Sequence, residues 1–118
     1  MPAHKIVTMP GDGIGKNVLE QTLKVLDAVE LKAEYFHADI GWEFWKKEGN
    51  PLPERTLELL EKYKTGLFGA ITSKPKSAAM EELDPALAEK GFIYSSPIVG
   101  LRQYFNLDVC IRPPKSFK

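Results

Sequence analysis

The sequence predicts an α/β fold: a mostly parallel sheet with flanking helices. Short apolar runs rich in β-branched residues alternate along the chain with amphipathic segments of helical length. The first such run stops at a glycine-rich turn, which is typical of a strand that leads into a helix. Strands that alternate with helices of about ten residues or more imply parallel strands joined by right-handed crossovers.

The first half of the chain predicts two strands and two helices. The run Ile6–Met9 is the first strand, because it is apolar and ends at Pro10-Gly11-Asp12-Gly13. Glu34–His37 predicts the second strand, and Glu54–Lys64 predicts a helix that Pro53 precedes. Between the two strands, one face of a predicted helix carries residues at helical spacing: Val18, Leu19, Thr22, Val25, Leu26 and Val29.

The middle of the chain predicts a third strand between two less regular segments. A segment that ends at Gly49-Asn50 carries three large aromatic side chains, those of Trp42, Phe44 and Trp45. We expect these side chains to pack in a core or an interface. Leu67–Ile71 predicts a buried third strand. Ala78–Lys90 predicts a helix that Pro85 breaks or shortens.

The last segment predicts a short helix followed by a strand. Ser96 suits the N-cap and Pro97 the first helical position, and apolar residues follow at helical spacing, so the helix carries Arg102. Leu107–Arg112 alternates apolar and polar residues, which predicts a strand. Cys110 lies within it, and we expect a buried thiol with a packing role.

Composition and charge exclude several classes of function. The 118 residues carry a formal net charge of zero, so nothing favours a general attraction to nucleic acid or to acidic membranes. No apolar stretch approaches the roughly 20 residues of a membrane helix, and the first residues lead into a strand without a signal peptide. A single cysteine cannot form an internal disulfide. We therefore expect a cytoplasmic protein of one domain or less.

The glycine turn Gly11-Asp12-Gly13-Ile14-Gly15 invites comparison with phosphate-binding loops. A dinucleotide fingerprint needs G-x-G-x-x-G, whereas these glycines are each two residues apart, and the Walker pattern is missing as well. The spacing therefore favours a structural turn over a ligand contact. Thr72-Ser73 follows the third predicted strand, where α/β proteins place ligands, although a plain turn fits equally well.

Two arginines near the end of the chain suggest a carboxylate-binding site. Arg102 lies near the end of the predicted helix and Arg112 at the end of the next strand, so both guanidinium groups can approach one cleft. Each guanidinium binds a carboxylate through two charge-assisted hydrogen bonds. Ser95 and Ser96 can donate hydroxyl hydrogen bonds to the same ligand. The alternatives are surface arginines paired with acidic neighbours and a serine that only caps a helix.

Taken together, the motifs of the chain resemble those of the isocitrate/isopropylmalate dehydrogenases. The match rests on the order and separation of three motifs: Gly11-Asp12-Gly13-Ile14-Gly15, Leu101-Arg102 and Ile111-Arg112-Pro113. Two further segments resemble the family, so the resemblance covers nearly the whole chain: Pro51-Leu52-Pro53-Glu54 and Gly69-Ala70-Ile71-Thr72-Ser73. The resemblance implies that residues 1–118 are an amino-terminal, incomplete part of an isopropylmalate-dehydrogenase-like fold.

The resemblance also implies a reaction. A malate-type 2-hydroxy acid is oxidised by hydride transfer to NAD or NADP and then loses the neighbouring carboxylate group as CO₂. Mg²⁺ or Mn²⁺ holds the hydroxyl and carboxylate oxygens of the substrate. By position, Arg102 and Arg112 are similar to two of the family's substrate-binding arginines. Three residues match positions near the nicotinamide end of the cofactor: Thr72, Ile14 and Ser73. The catalytic residues and metal ligands of the family lie beyond Lys118, so the resemblance assigns neither to this chain.

The residues beside the first arginine leave the substrate open. Ser96 fits isocitrate-type enzymes, which show a serine ahead of the Leu-Arg pair, whereas Ile98 replaces their asparagine. Ile98 and Val99 match the apolar positions of isopropylmalate-type enzymes, which usually have an acidic residue where this chain has Ser95. Isocitrate, 3-isopropylmalate, homoisocitrate and tartrate are all candidate substrates.

Two hypotheses about activity follow. Family members complete their first domain with strands from the far end of the chain and borrow active-site residues across a dimer interface. We therefore expect the parent to be an enzyme and a homodimer, and the 118-residue chain alone to be inactive. The alternative is a stand-alone α/β module that binds a small polycarboxylate or phosphate without catalysis, using Arg102, Arg112 and the glycine turn.

Overall fold

The structure is a computed structural model that describes residues 2–117. Three strands and six helices occur in this part of the chain. The strands are β1 (His4–Gly11), β2 (Ala33–His37) and β3 (Gly66–Ala70). The helices are α1 (Ile14–Ala28), α2 (Trp42–Glu48), α3 (Glu54–Tyr63), α4 (Lys76–Glu81), α5 (Pro85–Ala88) and α6 (Pro97–Tyr104). The strands and helices predicted as far as Ile71 are confirmed, with ends that differ slightly.

The strands form one parallel sheet in the order β2-β1-β3, which confirms the predicted α/β class. β1 is central, since Val7 lies opposite Phe36 of β2 and opposite Gly66 of β3. β2 lies on one side of β1, and β3 lies on the other side. β1 and β3 end side by side, with Gly11 opposite Ala70. In open α/β sheets, ligands bind at such a reversal of strand order.

The main core lies on β1 and the helices that cover it. Val7 is fully buried and Met9 nearly so, because the central strand has neighbours on both sides. Leu60 of α3 reaches them, and a methyl group added to Gly66 would meet the side chains of both Met9 and Leu60. Further buried or half-buried apolar residues belong to this core, among them Ala38, Ile40, Leu52, Leu57, Leu101 and Phe105. Removal of this surface from water is the main favourable term in folding.

A second core forms around two tryptophans of α2. The Tyr94 ring meets Trp42 and Trp45 edge to face, with ring centroids 4.9 and 5.4 Å away. Both indole N–H groups are satisfied, since Trp42 donates to Glu82 at 2.7 Å and Trp45 to the Ala79 carbonyl at 2.7 Å. All three aromatic residues are buried, so the predicted packing role of the tryptophans is confirmed.

Pro85 divides the helix predicted over Ala78–Lys90, as expected. α4 ends at Glu81, and α5 begins at Pro85 itself. Asp84 is the N-cap of α5, where its carboxylate accepts a hydrogen bond from the Ala86 backbone N–H at 2.9 Å. The proline suits the first helical position because a residue there has no helical acceptor for its N–H.

α1 is a helix as predicted, but its apolar face is only partly buried. Leu19 and Gly15 are buried, whereas Val18, Val25 and Val29 are 49%, 62% and 67% exposed. Helical spacing shows which residues share a face, and the described part of the chain leaves these valines open to solvent. No helix within residues 2–117 combines the length and apolar character that crossing a membrane requires.

The strand predicted over Leu107–Arg112 is wrong. The segment has no regular structure, and Leu107, Val109 and Ile111 are 58%, 72% and 80% exposed. Cys110 is exposed, so the expected buried thiol is wrong as well. Alternating side chains form a strand only where a neighbouring strand supplies hydrogen bonds, and no strand of residues 2–117 pairs with this segment.

Arg55 joins α3 to α2 and to the segment after β2. Its guanidinium donates two hydrogen bonds to the Glu48 carboxylate, at 2.8 and 2.9 Å, and one to Asp39 at 2.9 Å. The contact with Glu48, and then the contact with Asp39, raise the pKa of the Arg55 guanidinium. The arrangement is bidentate and links three segments, although the side chains are partly exposed.

We expect Arg55→Ala to lower the free energy of unfolding by about 1 kcal/mol, because water screens a half-exposed pair. Urea unfolding at low and high salt measures the effect, and the loss should shrink at high salt. Lys24→Ala is the control, since it breaks one exposed pair with Glu20 and should cost about 0.3 kcal/mol. Equal losses in the two variants would show that Arg55 does not link these segments energetically.

Candidate functional site

The turn between β1 and α1 packs tightly against the end of β3. A methyl group added to Gly11 would overlap the Ala70 carbonyl oxygen, and Gly11 has φ +77°, which disfavours other residues. A Cβ added to Gly15 would lie 2.5 Å from the Ala70 backbone nitrogen. The Asp12 backbone N–H donates to the Ala70 carbonyl at 2.8 Å. The turn therefore has the structural role that its glycine spacing favours.

Asp12 points its carboxylate into the protein and is only 7% exposed. Its Oδ2 accepts hydrogen bonds from the backbone N–H of Trp42 at 2.7 Å and of Thr72 at 2.9 Å. Oδ1 accepts a longer one from the Glu43 N–H at 3.4 Å. Gly41, the N-cap of α2, has no side chain to accept these N–H groups, so Asp12 caps α2 from a distant part of the chain.

This role of Asp12 is not evident from the sequence. The available signal was an acidic residue between two glycines directly after a strand. Glycines there permit close approach of the backbone, and a carboxylate that is drawn inward with the turn needs hydrogen-bond donors. The donors come from two other segments, and their identity does not follow from local spacing.

The residues predicted to contact the nicotinamide end of a cofactor border this edge of the sheet. Thr72 follows β3, is half buried and is held by Asp12. Ile14 begins α1 and is 70% exposed, and Ser73 is exposed beside Thr72. Ile14 and Thr72 reach the same edge because the β1–α1 turn packs on the end of β3. Their contact with a cofactor stays a prediction.

Arg102 and Arg112 both have exposed side chains. Arg102 lies in the last turn of α6 as predicted, whereas Arg112 lies in an irregular segment. Within residues 2–117, neither guanidinium forms an ion pair, so the described structure gives no support to the surface-pair alternative. Both guanidinium groups are exposed, so their donors can reach a ligand. The convergence of the two arginines on one ligand stays a prediction.

Ser95 and Ser96 line a groove of about 290 Å³ between α6 and the loop that joins α2 to α3. Neither arginine borders this groove, so it does not bring the predicted serines and arginines together. Ser96 occupies the N-cap position of α6, as predicted, but its side chain makes no capping hydrogen bond. On α6, Ile98 is half buried and Val99 is 44% exposed.

Two side chains that contact Trp42, those of Tyr94 and Glu82, have shifted pKa values. Burial raises the pKa of the Tyr94 hydroxyl, and the Asp12 carboxylate raises it further. Hydrogen bonds from Lys74 and then from the Trp42 indole lower the pKa of Glu82. At neutral pH, Tyr94 is therefore protonated and Glu82 is ionised.

A second crevice, of about 230 Å³, opens at the carboxyl ends of β1 and β2. Charged and titratable side chains contribute to its lining: Lys16, His37, Asp39 and Glu43. His37 Nε2 lies 3.3 Å from Asp39 Oδ1. Residues 2–117 contain no group of three histidine, cysteine, aspartate or glutamate side chains suited to a metal ion.

Comparison with known proteins supports the resemblance. The family model described as isocitrate/isopropylmalate dehydrogenase matches residues 5–118. The 3-isopropylmalate dehydrogenase of Methanothermobacter thermautotrophicus is 38% identical over 116 residues, which cover 98% of this chain and 30% of that protein. Protein DlpA of Legionella pneumophila is 47% identical over 109 residues, which cover 92% of this chain and 18% of that protein.

A solved structure agrees with the sequence matches. The crystal structure of isocitrate dehydrogenase from Methylococcus capsulatus is 30% identical to this chain and superposes with a TM-score of 0.69. The match covers 88% of this chain and 26% of the other. The chain thus spans less than a third of each of these three proteins. Because the family match extends over almost all of its residues, the chain belongs to the isocitrate/isopropylmalate dehydrogenase family.

Proposed function

We propose that this chain is the amino-terminal part of a decarboxylating dehydrogenase that uses NAD or NADP and acts on a malate-type 2-hydroxy acid. One observation carries the proposal: the family match spans Arg102 and Arg112, whose guanidinium groups form no ion pair within residues 2–117. Such groups suit the carboxylates of a hydroxy acid. The proposal includes a homodimer, as the resemblance implies.

Each part of the proposed site has its own role. Arg102 and Arg112 bind substrate carboxylates and turn the hydroxyl-bearing carbon towards the cofactor. Thr72 and Ile14, with Ser73 beside them, contact the nicotinamide end of the cofactor. An exposed apolar side chain and a half-buried threonine at the same edge of the sheet suit a flat ring with one polar substituent.

The metal that the resemblance implies does not fit the described residues. Residues 2–117 contain no cluster of three or more histidine, cysteine, aspartate or glutamate side chains placed to hold a metal ion. The contribution of this chain to the proposed reaction is therefore to bind and orient the substrate and cofactor.

The surface of α6 bears on the choice of substrate. Ile98 and Val99 are apolar, and Val99 is nearly half exposed, so they favour a substrate with an apolar substituent. Ser95 and Ser96 line a groove that neither arginine borders, which weakens the case for a third carboxylate there. We therefore place 3-isopropylmalate first, with isocitrate, homoisocitrate and tartrate as the acids to compare.

A binding and turnover experiment tests the proposal. We expect the 118-residue chain to bind 3-isopropylmalate weakly in calorimetric titration, and to form no reduced cofactor with NAD or NADP, Mg²⁺ and any of the four acids. Arg102→Gln and Arg112→Gln should each weaken binding about tenfold or more, because each removes a charged donor pair. Lys24→Gln, on the exposed side of α1, is the charge-matched control.

Each outcome of this experiment has a defined meaning. Equal binding by the arginine variants and Lys24→Gln would refute the proposed acid site. Turnover by the chain alone would refute its predicted inactivity. A second candidate, an α/β module that binds a polycarboxylate without catalysis, would use the same two exposed arginines. If that candidate is correct, a longer product of the same gene should bind the acid as this chain does and should also show no turnover.

A further inference from the structure

Asp12 is a buried carboxylate to which the proposed reaction gives no direct role. It is 7% exposed, and no lysine or arginine within residues 2–117 forms an ion pair with it. A buried charge is costly unless polar groups satisfy it, and here backbone N–H groups do so. The two shorter hydrogen bonds come from Trp42 and Thr72, which lie far apart in the sequence.

These hydrogen bonds join three segments at one carboxylate: the β1–α1 turn, the start of α2 and the connection after β3. Oδ2 alone accepts from both the Trp42 N–H and the Thr72 N–H, so a shift of this oxygen displaces both segments. Gly41 makes room for the carboxylate, since a Cβ added there would lie 2.5 Å from Asp12 Oδ2. The side chain is therefore held in one place from several directions.

We infer that Asp12 is a positioning residue for the proposed cofactor site. Ile14 follows Asp12 in the same turn, and Thr72 donates its backbone N–H to the Asp12 carboxylate. One side chain thus sets the separation of the two residues that we propose for nicotinamide contact. The inference rests on the proposed function, and Asp12 acts through Thr72 without touching the cofactor.

Amide hydrogen exchange, measured by NMR on the 118-residue chain, tests the positioning. In Asp12→Ala, we expect the Thr72 and Trp42 amides to exchange about tenfold faster or more, because their acceptor is gone. Asp12→Asn keeps one acceptor oxygen, should give a smaller increase, and serves for the comparison if the alanine variant does not fold. Asp84→Ala is the matched control, because within residues 2–117 the carboxylate of this aspartate accepts a hydrogen bond from the Ala86 N–H alone and so joins no distant segments. Unchanged exchange at Thr72 in the Asp12 variants would overturn the inference.

Titration with nicotinamide mononucleotide tests the link to the cofactor. This half of the cofactor is the probe because only the nicotinamide end is proposed for this chain. In the wild type we expect the Ile14 and Thr72 amide resonances to shift when the mononucleotide is added. Compared with the wild type, the affinity for the mononucleotide should be about tenfold weaker in Asp12→Ala and should change less than about twofold in Asp84→Ala. Measurements are made well below the unfolding transition of every variant, so that loss of stability does not account for the difference.

The two parts separate failure of the inference from failure of the proposed function. If the wild type binds the nucleotide and the Asp12 variants bind it equally well, the positioning role is refuted and the cofactor contact stands. If neither Ile14 nor Thr72 shifts in the wild type, the proposed cofactor contact is refuted, and the positioning of that contact falls with it. Faster exchange at Thr72 in that case identifies Asp12 as a structural link alone.

Discussion

Trp45→Ala is expected to lower the free energy of unfolding by about 3–5 kcal/mol, one of the two largest effects that we predict for a single substitution. Trp45 is completely buried in the second core, meets the Tyr94 ring edge to face, and donates its indole N–H to the Ala79 carbonyl at 2.7 Å. Truncation removes this packing, leaves a cavity and loses the hydrogen bond. Small domains are stable by about 5–15 kcal/mol, so this is a large part of the total.

Urea unfolding followed by far-ultraviolet circular dichroism measures the loss without using the tryptophan as its own probe. Trp45→Phe keeps an aromatic ring and should lose clearly less, which keeps the comparison available if the alanine variant does not fold. Phe117→Ala is the matched control, because that aromatic side chain is 91% exposed and its removal should change stability by less than about 0.5 kcal/mol. Similar losses of unfolding free energy in Trp45→Ala and Phe117→Ala would show that Trp45 is not buried in the second core.

Gly15→Ala is expected to cost more than about 3 kcal/mol or to prevent folding, although alanine is a better helix former than glycine. Gly15 lies in the first turn of α1, where an added Cβ would overlap the Pro10 carbonyl oxygen and lie 2.5 Å from the Ala70 nitrogen. These are backbone atoms of β1 and of the end of β3, so they cannot move aside as a flexible side chain can. The substitution therefore pushes α1 away from the sheet.

Gly100→Ala is the control for this prediction, because it makes the same change inside a helix. An added Cβ at Gly100 meets only the Leu52 side chain, at 3.2 Å, and that side chain can shift. We expect its stability to change by less than about 1 kcal/mol, since better helix propensity offsets slight crowding. Thermal and urea unfolding of both variants provide the comparison. A folded Gly15→Ala chain as stable as Gly100→Ala would disprove the tight contact between the turn and β3.

The elements predicted correctly are those whose signal is local. Ile6–Met9 and Leu67–Ile71 are apolar runs bounded by turn residues, and these runs form the two strands that meet at the proposed site. The amphipathic pattern of Glu54–Lys64 gives a helix whose Leu60 is buried. Pro85 breaks its segment because a ring without an N–H cannot continue a helix. Each of these signals acts over a few residues and needs no distant partner.

The predictions that failed depend on a distant partner. Leu107–Arg112 alternates like a strand, yet a strand needs a neighbour for its backbone groups, and residues 2–117 supply none. Cys110 is exposed for the same reason. Val25 on α1 and Val29 directly after it have helical spacing but lie open to solvent, since spacing does not show what packs against a face.

The candidate site divides in the same way. Spacing alone favoured a structural glycine turn, and Gly11 and Gly15 do pack against Ala70. The arginines were identified by their chemistry, and their exposure without internal ion pairs in residues 2–117 was visible only in the structure. The role of Asp12 depends on backbone donors at Trp42 and Thr72, which the sequence does not connect to it.

By itself, the sequence determined the α/β class, the three strands with the helices between them, and the family, because these depend on local hydrophobic pattern and on the order of short motifs. Tertiary structure alone decided that the Asp12 carboxylate is buried, that it holds Thr72 at the end of β3, and that the segment after α6 finds no neighbouring strand within residues 2–117. The physical reason is that hydrogen bonds and burial between distant segments depend on where the chain brings them together, which no local pattern records.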